Sequence, residues 1–168
     1  GYEEASGDVL LPDLVALCEV ENDSVLFDLT KRSVIRTAGY EYVMTDSPDE
    51  RGIDVALMYQ PFSFSLIHSW SIRVKRLPDT RPTRDILYVS GRVITGDTLH
   101  VFVVHAPSRR GGERESRPYR LQVASQLAEA VDSIYALQSG AKIIVAGDFN
   151  DYHDSPALEY LYQHHLIN

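Results

Sequence analysis

Short runs of consecutive apolar residues recur along the chain and predict strands that are covered on both faces. The two clearest runs are Leu14–Val20 near the start and residues 143–146 near the end. A run of four to eight residues of this kind is typical of a buried strand rather than a surface helix. Further strands are predicted at residues 40–44, 53–59, 62–74, 86–94 and 98–104, and the last two form a hairpin across Thr95-Gly96-Asp97.

Between these strands the apolar positions take the spacing of amphipathic helices. Asn22 or Asp23 can cap a helix that runs to about Ala38. Pro118 is placed at the first position of a long helix with a broad apolar face, and Pro156 begins a short final helix. A strand–helix–strand opening, then hairpins, then a helix leading into another strand indicates an α/β fold.

Two polar side chains follow the buried run near the end of the chain. The run stops at Gly147, and Asp148 and Asn150 follow at a spacing of two. If the backbone stays extended, both side chains leave on the same face, at the end of a strand where open α/β sheets bind ligands. A carboxylate can bind Mg²⁺ or orient a water molecule, and a carboxamide offers a donor and an acceptor. The alternative is an ordinary polar turn, since Gly, Asp and Asn are common turn residues.

Two other predicted strands also carry residues capable of chemistry near their ends. Glu19 lies in the first apolar run, where a glutamate is rarely buried unless it is paired or bound to a cation. His105 ends the strand that begins at residue 98. Each has a simpler interpretation: Glu19 could mark where the strand meets solvent, and His105 could be a hydrogen-bonded polar group at a strand end.

A local excess of positive charge follows His105. Residues 106–120 hold five arginines against two glutamates, together with Gly111 and Gly112. Arginine side chains match the geometry of phosphate groups, and glycines allow a loop to approach a ligand closely. The sequence therefore predicts an anion-binding loop, and the alternative is a solvated charged loop. The candidate substrate-binding residues are Arg109, Arg110 and Arg114.

Composition limits the class of protein. A chain of 168 residues with 44% apolar and 24% charged residues has the size of one globular domain, residues 1–168. The formal net charge of −8 argues against a nonspecific nucleic-acid-binding surface, although not against a local basic site. Cys18 is the only cysteine, so no intrachain disulfide can form. No stretch approaches the ~20 apolar residues of a membrane span.

Three strand-end segments occur in order along the chain: Leu17-Cys18-Glu19-Val20, Val104-His105-Ala106-Pro107 and Gly147-Asp148-Phe149-Asn150. Together they resemble the motifs of the endonuclease/exonuclease/phosphatase superfamily, and the resemblance covers about residues 12–155. It implies a deoxyribonuclease I-like α/β sandwich of mixed β-sheets flanked by helices. It also implies divalent-metal-dependent hydrolysis of phosphoester bonds, nuclease- or phosphodiesterase-like, by in-line attack of an activated water.

The same resemblance implies a role for each candidate residue. Glu19 matches the glutamate that binds Mg²⁺ (or Mn²⁺), and His105 matches the histidine at the scissile phosphate. Asp148 matches the aspartate that orients or deprotonates the attacking water, and Asn150 matches the asparagine that positions that water or a phosphate oxygen. The implied partner is a phosphorylated substrate. Nucleic acid, phospholipid and phosphosugar all remain open.

Two parts of the family pattern are not found. Residues 1–11 show no strand carrying an asparagine, and no strand with an Asp-His pair follows Asn150 before Asn168. His164 and His165 lie on the short final helix and are not assigned to that pair. We therefore expect the central part of a larger domain, incomplete at both ends. Alone, it is expected to be weak or inactive and to self-associate through uncovered sheet edges. The alternative function is a noncatalytic fragment that binds anions or a partner.

Overall fold

The computed structural model describes residues 11–49, 52–78, 82–109 and 112–166, and these residues form two β-sheets with helical segments outside each. The strands are β1 (Leu14–Val20), β2 (Glu41–Met44), β3 (Asp54–Tyr59), β4 (Phe64–Ile72), β5 (Ile86–Val93), β6 (Thr98–His105) and β7 (Lys142–Asp148). The helices are α1 (Asp23–Phe27), α2 (Glu113–Leu137) and α3 (Pro156–Tyr162).

The two sheets differ in their strand directions. The first has the order β1-β3-β2 and is antiparallel throughout its described strands. The second has the order β4-β5-β6-β7, in which only the β6–β7 pair is parallel. The prediction of an α/β sandwich with helices on its outer faces is confirmed, whereas mixed pairing occurs in the second sheet alone. The parallel pair matters most here because it brings the ends of β6 and β7 to the same edge.

Three apolar clusters show how the layers pack. The central cluster joins the inner faces of the two sheets, with Leu57 of the first sheet and Val101 of the second fully buried in it. A second cluster lies between the second sheet and α2 and α3, where Leu127 and Phe102 are inaccessible to solvent. A small third cluster packs Leu26 of α1 against the outer face of the first sheet. The order of layers is thus helix, sheet, sheet, helix.

The predicted helices are found near their expected positions, but their boundaries and helix types differ from the predictions. Asn22 caps α1 by accepting a hydrogen bond from the backbone N–H of Val25, as expected. The predicted helix to residue 38 is instead divided at Ser33, between a π-helical turn and a 3₁₀ turn. The prediction that Pro118 occupies the first position of the long helix is wrong, because α2 begins at Glu113 and contains Pro118. Because Pro118 has no backbone N–H, α2 lacks the hydrogen bond that residue 118 would donate to the carbonyl oxygen of residue 114.

No helix among the described residues has the length and apolar character needed to cross a lipid bilayer. β1 and β7 are edge strands of their sheets in the described part of the chain. Ile144 on β7 is 45% exposed, so the prediction that residues 143–146 form a strand covered on both faces is wrong, because β7 lies at the edge of its sheet. Self-association through such edges stays a prediction.

Candidate active site at the strand ends

The parallel pairing of β6 with β7 sets His105 beside Asp148. The register pairs Val104 with Gly147 and His105 with Asp148, and the backbone N–H of Ala106 donates to the carbonyl oxygen of Asp148 at 2.8 Å. Gly147 has a φ of 132°, and a Cβ there would overlap the carbonyl oxygen of Val104. Glycine is therefore required for the two strands to approach at this point. The motif residue Gly147 positions the aspartate that follows it.

Glu19 reaches the same place through an irregularity in β1. Leu17 pairs with Ala56 and Val20 with Asp54, so that Cys18 and Glu19 together face one residue of β3. Such a bulge redirects a side chain, and bulges are common next to active sites. Glu19 has a φ of 60° and a side chain that is 71% exposed. The bulge therefore turns the Glu19 carboxylate outward, which agrees with the simpler interpretation that Glu19 lies where the strand meets solvent.

One imidazole nitrogen, Nε2 of His105, has the carboxylates of both Glu19 and Asp148 near it. The Nε2 atom of His105 lies 3.9 Å from Oε1 of Glu19 and 4.0 Å from Oδ2 of Asp148. His105 is buried, whereas the Asp148 side chain is 56% exposed. Both distances exceed that of a direct hydrogen bond. The three groups therefore surround a position that an oxygen of a bound molecule can share.

A turn of the backbone, rather than an extended strand, brings Asn150 to this cluster. β7 ends at Asp148, and Asn150 has a φ of 50°. Its backbone N–H donates to Oδ1 of Asp148 at 2.8 Å, and its Nδ2 donates to the carbonyl oxygen of Ala106 at 2.9 Å. The premise that the backbone stays extended after Asp148 is wrong. A tight turn joins the two residues instead, and one of the two Nδ2–H donors is used to hold the segment after His105.

Arg84 holds that segment from the other side. It is 2% exposed, and it donates from Nε to the carbonyl oxygen of His105 at 3.0 Å and from Nη2 to that of Ala106 at 2.9 Å. Its Nη1 lies 3.3 Å from Oδ2 of the buried Asp49. Sequence reasoning missed both residues, because each lies in a polar segment outside the predicted strands. The only available signal is that Arg84 lies two residues before a buried strand.

Cys18 packs beneath the cluster as a neutral thiol. Its Sγ donates to the carbonyl oxygen of Val104 at 3.6 Å. Burial raises the pKa of the Cys18 thiol, a hydrogen bond from the backbone of Asp148 lowers it in part, and the charges of Asp148 and Glu19 raise it again, so the net pKa is raised. A thiol with a raised pKa is a poor nucleophile at neutral pH. Cys18 therefore contributes packing rather than chemistry.

The arginines of the basic segment lie in different environments. The guanidinium of Arg109 lies 4.2 Å from the ring centroid of Tyr152, which is a cation–π contact. Both residues line an open cavity of about 670 Å³ next to the turn after Asn150. Arg114 is exposed on the first turn of α2, and Arg110 lies outside the described residues. Of the three predicted substrate-binding residues, Arg109 contacts a residue two positions beyond Asn150, and the anion-binding role of all three stays a prediction.

Arg120 belongs to the same basic segment, but its side chain takes part in a buried ion pair that holds the fold together. Its Nε donates to Oδ2 of Asp151 at 2.9 Å, and both side chains are almost completely buried. Burial raises the pKa of the Asp151 carboxyl, but hydrogen bonds from Arg120, from Ser155 and from the backbone of Tyr152 outweigh that effect. The net result is a lowered pKa. This ion pair fixes the loop after Asn150 against α2.

The cluster offers oxygen ligands to a metal ion, although it is not a closed metal cage. Within the described residues, no group of three or more His, Cys, Asp or Glu side chains is arranged to hold a metal ion. Glu19 and Asp148 nevertheless present exposed carboxylates on either side of His105. Mg²⁺ usually binds one or two carboxylates and completes its shell with water and substrate phosphate oxygens. The donor set fits an ion held in this way.

A family model described as Endonuclease/Exonuclease/phosphatase family matches residues 3–164. No curated protein sequence matches the chain.

Several solved structures share the fold. The human Nocturnin catalytic domain with bound sulfate is 23% identical with a TM-score of 0.69, over 89% of this chain and 55% of that one. The D. rerio TDP2 complexed with single strand DNA product is 20% identical with a TM-score of 0.63, over 90% of this chain and 52% of that one. A Bacteroides thetaiotaomicron mannosyl-6-phosphatase is 17% identical with a TM-score of 0.70, over 90% and 56% of the two chains. This chain therefore spans little more than half the length of these relatives.

Proposed function

Because this chain belongs to the endonuclease/exonuclease/phosphatase family, we propose that its strand-end cluster hydrolyses phosphoester bonds with the help of a divalent metal ion. The cluster consists of Glu19, His105, Asp148 and Asn150. The observation that carries the proposal is the convergence of two exposed carboxylates on Nε2 of the buried His105, at 3.9 and 4.0 Å. Two of the four residues also have positive φ angles, and backbone strain of this kind concentrates at functional sites.

Glu19 is the residue that would hold the ion, Mg²⁺ or Mn²⁺. When bound, such an ion supplies Lewis-acid chemistry, which offsets negative charge on a phosphoryl oxygen. The bulge in β1 supports this role, because it turns the carboxylate out of the sheet and toward His105. A carboxylate that is 71% exposed also has room for the water and substrate oxygens that complete a Mg²⁺ shell.

Asp148 would take the proton from the attacking water. One of its oxygens, Oδ1, is fixed by the backbone N–H of Asn150, which leaves Oδ2 on the side of His105. A carboxylate fixed through one oxygen can accept a proton through the other without losing its orientation. The remaining donor of Asn150 would orient the water or a phosphate oxygen, since its first donor is used by Ala106.

His105 would donate from Nε2 to a nonbridging oxygen of the phosphate. This nitrogen lies near both carboxylates, at the centre of the cluster. The distance to each is too long for a direct hydrogen bond. A preorganised donor aimed at developing negative charge is among the largest contributions to catalysis. Arg84 supports this role, because its two hydrogen bonds fix the carbonyl groups of His105 and of the next residue, Ala106.

Arg109 would bind a second anionic group of the substrate. Its position over Tyr152 beside an open cavity offers a charged group and an aromatic face together. Arg110 and Arg114 are proposed to extend this basic surface. The arrangement suits a phosphorylated substrate with a planar or ring-shaped group next to the phosphate, and nucleic acid is one such class.

The experiment is a panel of phosphodiester and phosphomonoester substrates assayed with Mg²⁺, with Mn²⁺ and with a chelator. It compares the 168-residue chain with the product of its complete reading frame. We expect metal-dependent hydrolysis by the complete product and weak or no hydrolysis by the shorter chain. Binding of these substrates without hydrolysis by either protein would instead support the noncatalytic anion-binding function.

A further inference from the structure

β4 is the most exposed of the edge strands in the described part of the chain. It pairs only with β5 there, and all of residues 65–71 are exposed. The other edge strands, β1, β2 and β7, have at most two consecutive exposed residues. An open sheet edge presents backbone N–H and C=O groups that can pair with a further strand. The chemistry of this edge therefore specifies another extended strand as its partner.

β4 also lacks the charges that normally protect an edge strand. β1 carries Glu19, β2 carries Glu41, and β7 carries Lys142 and Asp148, whereas β4 contains no Asp, Glu, Lys or Arg. A charged side chain on an edge disfavours pairing with another chain, because pairing would take it out of water. The formal net charge of the chain is −8. β4 is therefore the edge at which two copies of this acidic chain would repel each other least.

The pairing with β5 shows which part of β4 is regular. Leu66 pairs with Gly91 and His68 pairs with Ser90, so Ile67 is one extra residue on β4. A bulge of this kind bends the strand and interrupts its ladder. Pairing is continuous from residue 68 to residue 72. These five residues form the straight segment that a further strand can follow.

The two faces of this segment differ. Trp70 and Ile72 pair with Tyr88 and Ile86, which lie in the cluster between the second sheet and α2. This face of β4 thus points toward the helix layer. The two serines that alternate with these residues point to the opposite face, because successive side chains of a strand alternate.

The order of residues 68–72 is symmetric in character about Trp70. When two copies pair antiparallel with Trp70 opposite Trp70, each His68 lies opposite an Ile72 and each Ser69 opposite a Ser71. Directly opposite residues share one face of the sheet, so indole meets indole and hydroxyl meets hydroxyl. Aromatic pairs and hydroxyl pairs are favourable cross-strand contacts. A two-fold dimer uses the same patch on both copies, and this segment is complementary to itself.

Trp70 is placed to anchor such a contact. It is 54% exposed, and its ring centroid lies 4.6 Å from that of Tyr88, so contacts within the sheet hold the indole. Leu137 at the end of α2 is 92% exposed and lines the same open cavity as Trp70. A second copy paired at β4 would therefore lie next to an apolar surface. Large aromatic side chains held on rigid elements are typical of interface centres.

We propose that β4 pairs antiparallel with β4 of a second copy of this chain, centred on Trp70, and joins the two second sheets into one continuous sheet. Because five residues form the regular segment, the contact is small, and we expect a dissociation constant on the order of 10–100 µM. The dimer does not depend on the proposed phosphoesterase activity, since no residue of the strand-end cluster lies on β4.

The first test uses the native 168-residue chain. Light scattering from about 10 µM to about 1 mM should show the mass rising from that of one chain toward that of two. Trp70 is the only tryptophan, so its fluorescence should shift to shorter wavelength over the same range as the indole leaves water. The complete reading-frame product should behave in the same way, because it also contains β4.

Hydrogen exchange locates the contact without any substitution. Amides of residues 68–72 that point away from β5 should exchange about tenfold more slowly at the highest concentration than at the lowest. Amides of β7 should exchange at the same rate at both concentrations.

Variants identify the strand responsible. Trp70→Lys places two positive charges opposite each other and should give the mass of one chain at every concentration. Ser69→Lys should also abolish the dimer, and it keeps the contact between Trp70 and Tyr88. Ile144→Lys is the matched control, because it makes the same kind of change at an exposed apolar residue of β7, the other edge of the sheet. It should dimerise like the native chain.

Any of three results with unsubstituted protein would overturn the proposal, whether or not the variants fold. The first is the mass of one chain throughout the concentration range. The second is exchange that slows in β1 or β7 and not in β4, which would assign the contact to another edge. The third is a dimer of the shorter chain with a monomeric complete product, which would mean that β4 is not an open edge in the complete protein.

Discussion

Arg84 donates a hydrogen bond from Nε to the carbonyl oxygen of His105 at 3.0 Å, from a position that is almost completely buried. Its Nη2 bonds the next carbonyl, that of Ala106, which also accepts from Nδ2 of Asn150. Two side chains from different segments thus share one backbone oxygen. The proposed catalytic histidine and asparagine are thereby held in a fixed relationship.

Replacing Arg84 by Met should destabilise the protein strongly. The change removes both hydrogen bonds to the backbone and leaves the buried Asp49 without this cation. Breaking a buried ion pair from one side costs about 3–5 kcal/mol. Urea unfolding measures this directly, with Arg92→Met at an exposed position of β5 as the control. Similar free energies of unfolding for the two variants would show that the Arg84 contacts do not contribute to stability.

Glu19→Gln should weaken Mg²⁺ binding while leaving the fold intact, because the amide keeps the shape of the side chain and removes its charge. Titration calorimetry measures the affinity, and circular dichroism monitors the fold. Glu21→Gln, two residues along the chain at another exposed carboxylate, is the matched control and should bind Mg²⁺ like the native protein. Unchanged affinity in Glu19→Gln would remove Glu19 from the metal site.

Gly147→Ala should separate β6 from β7 and disturb the cluster. The added methyl group would overlap the carbonyl oxygen of Val104, and the φ of 132° is unfavourable for alanine. Steric overlap and backbone strain each cost on the order of 1–3 kcal/mol. The free energy of unfolding should fall by about that sum. Gly140→Ala, where nothing lies within 4 Å of the added Cβ, should change stability little, and equal effects at both positions would contradict the close approach of the strands.

The Arg120–Asp151 pair should make stability fall in acid. Burial raises the pKa of Asp151, but its hydrogen bonds to Arg120, Ser155 and the Tyr152 backbone lower it further than burial raises it. A carboxyl whose pKa is lower in the folded state stabilises the fold above its unfolded pKa of about 3.9. That contribution is lost as the pH falls through the folded pKa.

Chemical unfolding from pH 6 to pH 2 measures this dependence. Asp151→Asn should be less stable than the native protein at pH 6, and the difference should shrink toward pH 2 as Asp151 becomes protonated. Asp46→Asn, the same change at an exposed position, is the control substitution and should alter stability little at any pH. A difference between the native protein and Asp151→Asn that stays constant with pH would show that titration of Asp151 is not linked to folding.

Sequence patterns predicted the positions of the strands well, because apolar runs mark strands that have at least one buried face. They did not predict burial: Leu14–Val20 and residues 143–146 were expected to be covered on both faces, but β1 and β7 are partly exposed edge strands in the described part of the chain.

The same patterns could not predict how Glu19 and Asn150 are oriented. The bulge at Glu19 arises from pairing with β3, and the turn at Asn150 arises from contacts with Asp148 and Ala106. The role of Arg84 was also not predictable, since its partners lie at least 21 residues away along the chain. Local periodicity therefore located the site but not the contacts that hold it.

Substitution of His105 is the sharpest test of whether the strand-end cluster hydrolyses phosphoester bonds. The measurement is the hydrolysis rate of the complete reading-frame product at saturating Mg²⁺, on whichever panel substrate is cleaved fastest. His105→Gln is compared with the native protein and with His153→Gln, an exposed control. Loss of a preorganised donor to the developing charge predicts a rate lower by about 10²–10³-fold in His105→Gln alone. A rate in His105→Gln equal to that of the control would show that the strand-end cluster does not carry out the hydrolysis.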